Sequence, residues 1–178
     1  MKNIVEKLNL VREKIDTIDN KILDLIEARS ILAQEVIKAK NNKNIFNPIR
    51  EEKLIKNLVL KTKALKPDYI EDIWRLFIIE NLYLQGGLQV FLGPEKEVKT
   101  TAKWYFGKSA SINICESNID AISKLLVNKY SAVILKHSKD LSLTFEIDGI
   151  KIKKIVETPI FKMKNLSKIA IYKRIDEI

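Results

Sequence analysis

The residues best placed to do chemistry are polar side chains standing where helical periodicity asks for apolar ones. Arg29 sits between Leu25 and Leu32 in a run whose apolar residues recur at steps of three and four: Leu8, Val11, Ile15, Ile18, Ile22, Leu25, Leu32 and Val36. Lys40 follows eleven residues later, about 20° further round a helix, so the two cations share one face. Glu51 is in phase with Leu54, Ile55 and Leu58, while Asn81 and Gln85, four apart, fall on the inward stripe of a third helix. Singly, each has an ordinary explanation as a register-setting polar residue, a snorkelling cation or a solvated acid. Together they conflict with burial, because two cations without a counter-anion are costly to desolvate and Glu51 cannot pair with both. A buried site for a dianionic ligand removes the conflict.

Three helices must carry these groups. The first runs from about Val5 to Asn41 without proline or glycine, a length of roughly 55 Å. A small domain cannot cover such a stripe alone, so a second chain is expected to bury part of it, making a homodimer. The second helix starts at Asn47-Pro48, with Asn as cap and Pro at the first helical position, and runs to about Lys63. The third starts near Asp68, where Glu71 completes a capping-box pattern, and its stripe is Ile70, Ile73, Trp74, Phe77, Leu84 and Leu88. Gly86-Gly87 marks a seam, which places a domain boundary near residue 88 and divides the chain into residues 1–88 and 89–178.

The run Val11-Arg12-Glu13-Lys14-Ile15-Asp16, then Asp19, Arg29, Val36-Ile37-Lys38-Ala39-Lys40 and Arg50-Glu51, closed by Asn81 and Gln85, resembles the all-helical, bacterial-type chorismate mutases. The resemblance implies an intertwined dimer with shared active sites that converts chorismate to prephenate. In it, Arg12 reaches the substrate of the other subunit and Arg29 binds a substrate carboxylate within its own chain. Lys40 meets a carboxylate and the breaking ether oxygen, and Gln85 donates to that oxygen. Arg50 and Glu51 lie near the ring hydroxyl, with Glu51 as its acceptor. Two positions depart from the family pattern. Asn47 stands where Asp is usual but can still offer its backbone, and Asn81 stands where Ser is common but can still donate to a carboxylate. The rearrangement is pericyclic, so it needs positioning and charge stabilisation at the ether oxygen, not a nucleophile, metal or cofactor.

The second half reads as a small α/β domain with a parallel sheet and a hairpin. Strand signals at Gln89–Leu92, Ser111–Cys115 and Ser131–Leu135 alternate with helix signals at Val98–Phe106 and Asn118–Asn128. Leu141, Leu143, Phe145 and Ile147 alternate up to the tight turn Asp148-Gly149, and a last strand covers Ile169–Tyr172. Phe91-Leu92-Gly93-Pro94-Glu95 and Asn165-Leu166-Ser167-Lys168-Ile169 resemble worn copies of prephenate dehydratase motifs. The chain between them is too short for that domain's second lobe, so the resemblance implies a shortened remnant without dehydratase activity. His137, the single histidine, reads as an exposed loop side chain.

Composition narrows the remaining classes. The net charge of +9 is spread along the chain with no dense basic run, which argues against nucleic acid as a partner. No long uncharged apolar stretch suits a membrane span. The lone Cys115 reads as a core residue and fits a reducing cytoplasm. The rival to an enzyme is a dimeric module that binds a metabolite or protein, and a further alternative adds dehydratase activity to the mutase.

Overall fold

The computed structural model describes residues 2–39, 46–84, 87–128, 130–138 and 143–175. Helix α1 spans Lys2–Ala39 without a break, as a 38-residue run lacking proline and glycine allows. Helix α2 (Pro48–Lys61) begins as expected: the Asn47 side chain accepts from the Arg50 N–H at 3.0 Å, and Pro48 opens the first turn. Helix α3 covers Pro67–Leu84.

Two features of α3 correct the sequence reading. Its first residue is Pro67, so Asp68 lies inside the first turn rather than capping it. The Glu71 carboxylate makes no capping box. It accepts the backbone N–H of Ile160 at 2.8 Å and of Phe161 at 2.9 Å, far along the chain. Leu88, read as the end of the helical stripe, instead opens the first strand.

The second half forms β1 (Leu88–Leu92), α4 (Lys96–Phe106), β2 (Ala110–Ile114), α5 (Asn118–Val127), β3 (Ala132–Lys136), β4 (Thr144–Ile147), β5 (Ile150–Thr158) and β6 (Ile169–Arg174). They make one sheet in the order β2-β1-β3-β6-β5-β4. Strand β1 pairs in parallel with both β2 and β3, whereas β6, β5 and β4 add antiparallel strands. Asp148 (φ 50°) and Gly149 (φ 75°) both adopt the left-handed conformation that a tight hairpin between β4 and β5 requires. His137 departs from expectation: it is only partly exposed, and its Nδ1 lies 3.1 Å from Glu157 Oε1.

Strand alternation sorts the core into two layers. Phe91, Val133, Leu135, Ala170 and Tyr172 pack on one face with Ala121, Ile122 and Leu125 of α5. Val90, Leu92, Ala132, Ile134, Ile169 and Ile171 point to the other face, where α4 supplies Val98, Ala102, Tyr105 and Phe106. Ile55 of α2 and Ile78 and Leu82 of α3 join that same cluster, so the hydrophobic core continues across residue 88. No described helix is long and apolar enough to cross a membrane.

Gly87 turns the chain from α3 into β1. Its φ is +78°, and an added Cβ would stand 2.7 Å from the Ser109 carbonyl oxygen, which already accepts the Leu88 N–H at 2.9 Å. That oxygen is backbone fixed in the sheet and cannot yield. Gly87→Ala is therefore expected to destabilise the chain by about 2 kcal/mol or more in urea denaturation, the left-handed penalty plus the overlap.

Candidate active site

The site is assembled where α1 crosses α3 beside the start of α2. Ile26, Arg29, Ser30 and Ala33 are the partly buried residues of the last third of α1. The Arg29 guanidinium donates to the Phe77 carbonyl at 3.4 Å and lies 5.9 Å from the centre of that residue's ring. Asn81, one turn on in α3, donates to the same carbonyl at 2.8 Å. Its other side-chain atom, Oδ1, is buried without a described partner. Arg29 and Asn81 thus meet at the Phe77 carbonyl.

Electrostatics at this point are unbalanced. Burial, and then the positive charge of Arg50, push the Arg29 guanidinium below its usual pKa. Neither arginine makes an ion pair with a described residue. A guanidinium pushed down by a like charge, with no ion pair to a described residue, has the chemistry to accept an anion. The Arg50 side chain is exposed, and the Asn47 cap fixes the backbone that carries it, its side-chain oxygen accepting the Arg50 N–H.

Glu51 points a different way from its neighbour. It is buried, and its Oε2 accepts from Arg75 Nη1 at 2.8 Å and from the Tyr105 hydroxyl at 2.9 Å. Its Oε1 takes no bond from a described residue. Arg75 is a residue the sequence reading missed. The signal was available: Glu71, Arg75, Ile78 and Leu82 are spaced four, three and four apart, and all are buried. The stripe through Ile73, Trp74 and Phe77 is only half of the buried surface of α3, because this helix is covered on two sides. The Tyr105 partner could not be inferred from helical phase, since it comes from the other half of the chain.

Arg12 is exposed on α1, seventeen residues before Arg29 and so about 25 Å away along the axis. The chain's own Arg29 site is out of its reach. Lys40 and Gln85 lie outside the described residues. Among the described residues, no group of three or more His, Cys, Asp or Glu side chains is arranged to hold a metal ion.

Fold and site together define a protein of helices, one of them 38 residues long, joined to a mixed α/β unit. Residues 11–86 match the family described as chorismate mutase type II. A chorismate mutase of Methanocaldococcus jannaschii is 46% identical over 92 residues, covering 39% of this chain and 93% of the relative. A bifunctional chorismate mutase/prephenate dehydratase of Aquifex aeolicus is 26% identical over 155 residues, 81% of this chain and 43% of the relative. Another protein of that name, from Enterobacter agglomerans, is 35% identical over 82 residues, 44% of this chain and 21% of the relative. No solved structure matches the chain. The chain belongs to the chorismate mutase family. It spans less than half the length of the two bifunctional relatives, and the Aquifex likeness is too long to be confined to the helices, so it continues into the α/β unit.

A like-charged pair without a counter-ion opposes folding when the site is empty. Arg29→Met should leave the urea midpoint of the ligand-free chain unchanged or raise it, whereas a structural arginine would lower it. A small dicarboxylate such as malonate should raise the melting temperature of the wild type and not of the variant, measured by thermal denaturation.

Proposed function

We propose that the chain catalyses the rearrangement of chorismate to prephenate, at sites shared between two subunits of a homodimer. The observation that carries this reading is the partly buried Arg29 guanidinium, which shares the Phe77 carbonyl with Asn81, feels the charge of Arg50 and makes no ion pair with a described residue. Chorismate brings two carboxylates, and guanidinium groups hold carboxylates with both charge and direction. Arg29 binds one carboxylate and Asn81 donates to it. Lys40 meets a carboxylate and the ether oxygen, and Gln85 donates to that oxygen as negative charge builds there. Arg50 and Glu51 take the ring hydroxyl, with the Asn47 backbone beside them. These roles come from position in the family pattern, and the geometry of the described members supports them. The reaction breaks one C–O bond and forms one C–C bond within a single molecule, so its catalyst needs pre-set shape and charge.

The dimer follows from what α1 leaves uncovered. Leu8, Val11, Ile15, Ile18, Ile22, Leu25, Leu32 and Val36 are each between 46% and 70% exposed in the single chain. Fully burying such side chains is worth about 1.5–3 kcal/mol each, so two α1 helices lying side by side gain substantially. Arg12 sits on that helix far from its own Arg29, which suits delivery to the neighbouring subunit.

Purified protein should consume chorismate, followed as loss of its ultraviolet absorbance, with prephenate as product. Lys40→Ala should lower turnover about a hundredfold or more, the loss expected for one preorganised donor. Arg12→Ala should do the same while the dimer stays intact by ultracentrifugation. Mixing the two inactive variants should restore about a quarter of wild-type activity, since random pairing gives half heterodimers with one complete site each. Turnover at the uncatalysed rate by a folded wild-type dimer would sink the assignment and leave a binding module as the reading.

A further inference from the structure

Glu51 is the member of the site whose position is fixed by the other half of the chain. Arg75 is 2% exposed and Tyr105 is 1% exposed, so the bonds they make to Glu51 Oε2 are shielded from water. The Arg75 guanidinium also lies 3.7 Å from the centre of the Tyr105 ring and 5.7 Å from that of Trp104. Tyr105 and Trp104 both belong to α4, which packs on the sheet. A carboxylate held by a charged donor and a phenol on one oxygen has little freedom to rotate. Its second oxygen is left as the directed acceptor. Burial pushes the Tyr105 phenol well above its usual pKa of 10, which keeps it a neutral donor.

We propose that Arg75 and Tyr105 are positioning residues of the mutase reaction, clamping Glu51 Oε2 so that Oε1 faces the substrate's ring hydroxyl. The α/β unit then supplies part of the active-site scaffold through Tyr105. The proposal rests on the reading of Glu51 as the hydroxyl acceptor, and it adds two residues that do not touch the substrate. A buried ion pair that served stability alone would leave the geometry of turnover indifferent to the phenol.

The test uses the full-length dimer and four variants: Tyr105→Phe, Glu51→Gln, their combination, and Asp72→Ala. Phe keeps the ring beneath Arg75 and removes only the hydroxyl. Tyr105→Phe is expected to lower kcat about tenfold with KM changed less than twofold, as a small positional slip of a catalytic group does. In the Glu51→Gln background the same substitution should have no further effect on kcat, because its action passes through Glu51. Asp72→Ala removes the acceptor of the 2.8 Å bond from Trp104 Nε1 across the same interface and keeps both rings beside Arg75, and it should leave kcat unchanged. A Tyr105→Phe protein with a lowered melting temperature but wild-type kcat overturns the proposal, as do effects that multiply in the double variant. If Tyr105→Phe fails to melt cooperatively, Arg75→Lys is read in the same cycle with the same expectations. Wild-type kcat in Glu51→Gln removes Glu51 from the reaction and overturns the proposal while leaving the mutase assignment standing. Absence of wild-type turnover overturns both.

Discussion

A charge taken out of water must meet an opposite charge or a set of aligned dipoles, at a cost of several kcal/mol if it does not. The helical half of this chain is organised by that rule. Arg75 meets Glu51, and the Glu71 carboxylate meets the two N–H groups of Ile160 and Phe161. Burial nevertheless raises the pKa of Glu71, so the two bonds only partly offset its desolvation. Arg29 breaks the rule, since it is partly buried, the charge of Arg50 opposes its own, and it makes no ion pair with a described residue. Arg75 and Glu71 find partners within the chain, whereas Arg29 makes no ion pair with a described residue, which suits the ligand site proposed there.

The same helix carries a second imbalance of a different sort. The face of α1 that touches α3 runs through Ile26, Arg29, Ser30 and Ala33, while the large apolar residues at 25, 32 and 36 look elsewhere. One helix therefore offers a narrow face, half of it polar, to its own chain and leaves a larger apolar face exposed. Placed side by side, the two faces put the anion site next to the surface a second α1 would cover. In the proposed homodimer, closing the interface would also enclose the substrate and exclude the water that screens Arg29.

How much of this could be read from sequence depended on whether the information was local. Asn47-Pro48 and Asp148-Gly149 each encode a cap or turn within four residues, and each forms as expected. The interruption of the α1 stripe at Arg29 was legible for the same reason. What escaped was set by partners distant in sequence. Glu71 matches a capping box, yet the N–H groups it accepts are about ninety residues away. Arg75 looks like a surface residue until α4 is laid against it. The apolar stripe of α3 was assigned too narrowly because a helix between two layers buries two faces, and a single 3.6-residue pattern describes one. His137 gained Glu157 by a pairing that no spacing announces.

Sheet geometry explains why the two halves need each other. Six strands at about 4.8 Å spacing make a surface some 24 Å across, and one helix covers roughly 10 Å of it. Helix α4 packs over β1 and β3, which leaves the β5 and β6 side of that face bare. Ile55 of α2, with Ile78 and Leu82 of α3, fills the same cluster as Val156, Ile169 and Ile171 of those strands. The helices thus complete the layer that the short α/β unit lacks. In return, that unit presents Tyr105 to Glu51 and the Ile160-Phe161 amides to Glu71, anchoring α2 and α3 on the side away from α1. A boundary drawn at residue 88 separates two sequence patterns, but cutting there would expose a sheet face and leave Glu51 with Arg75 alone.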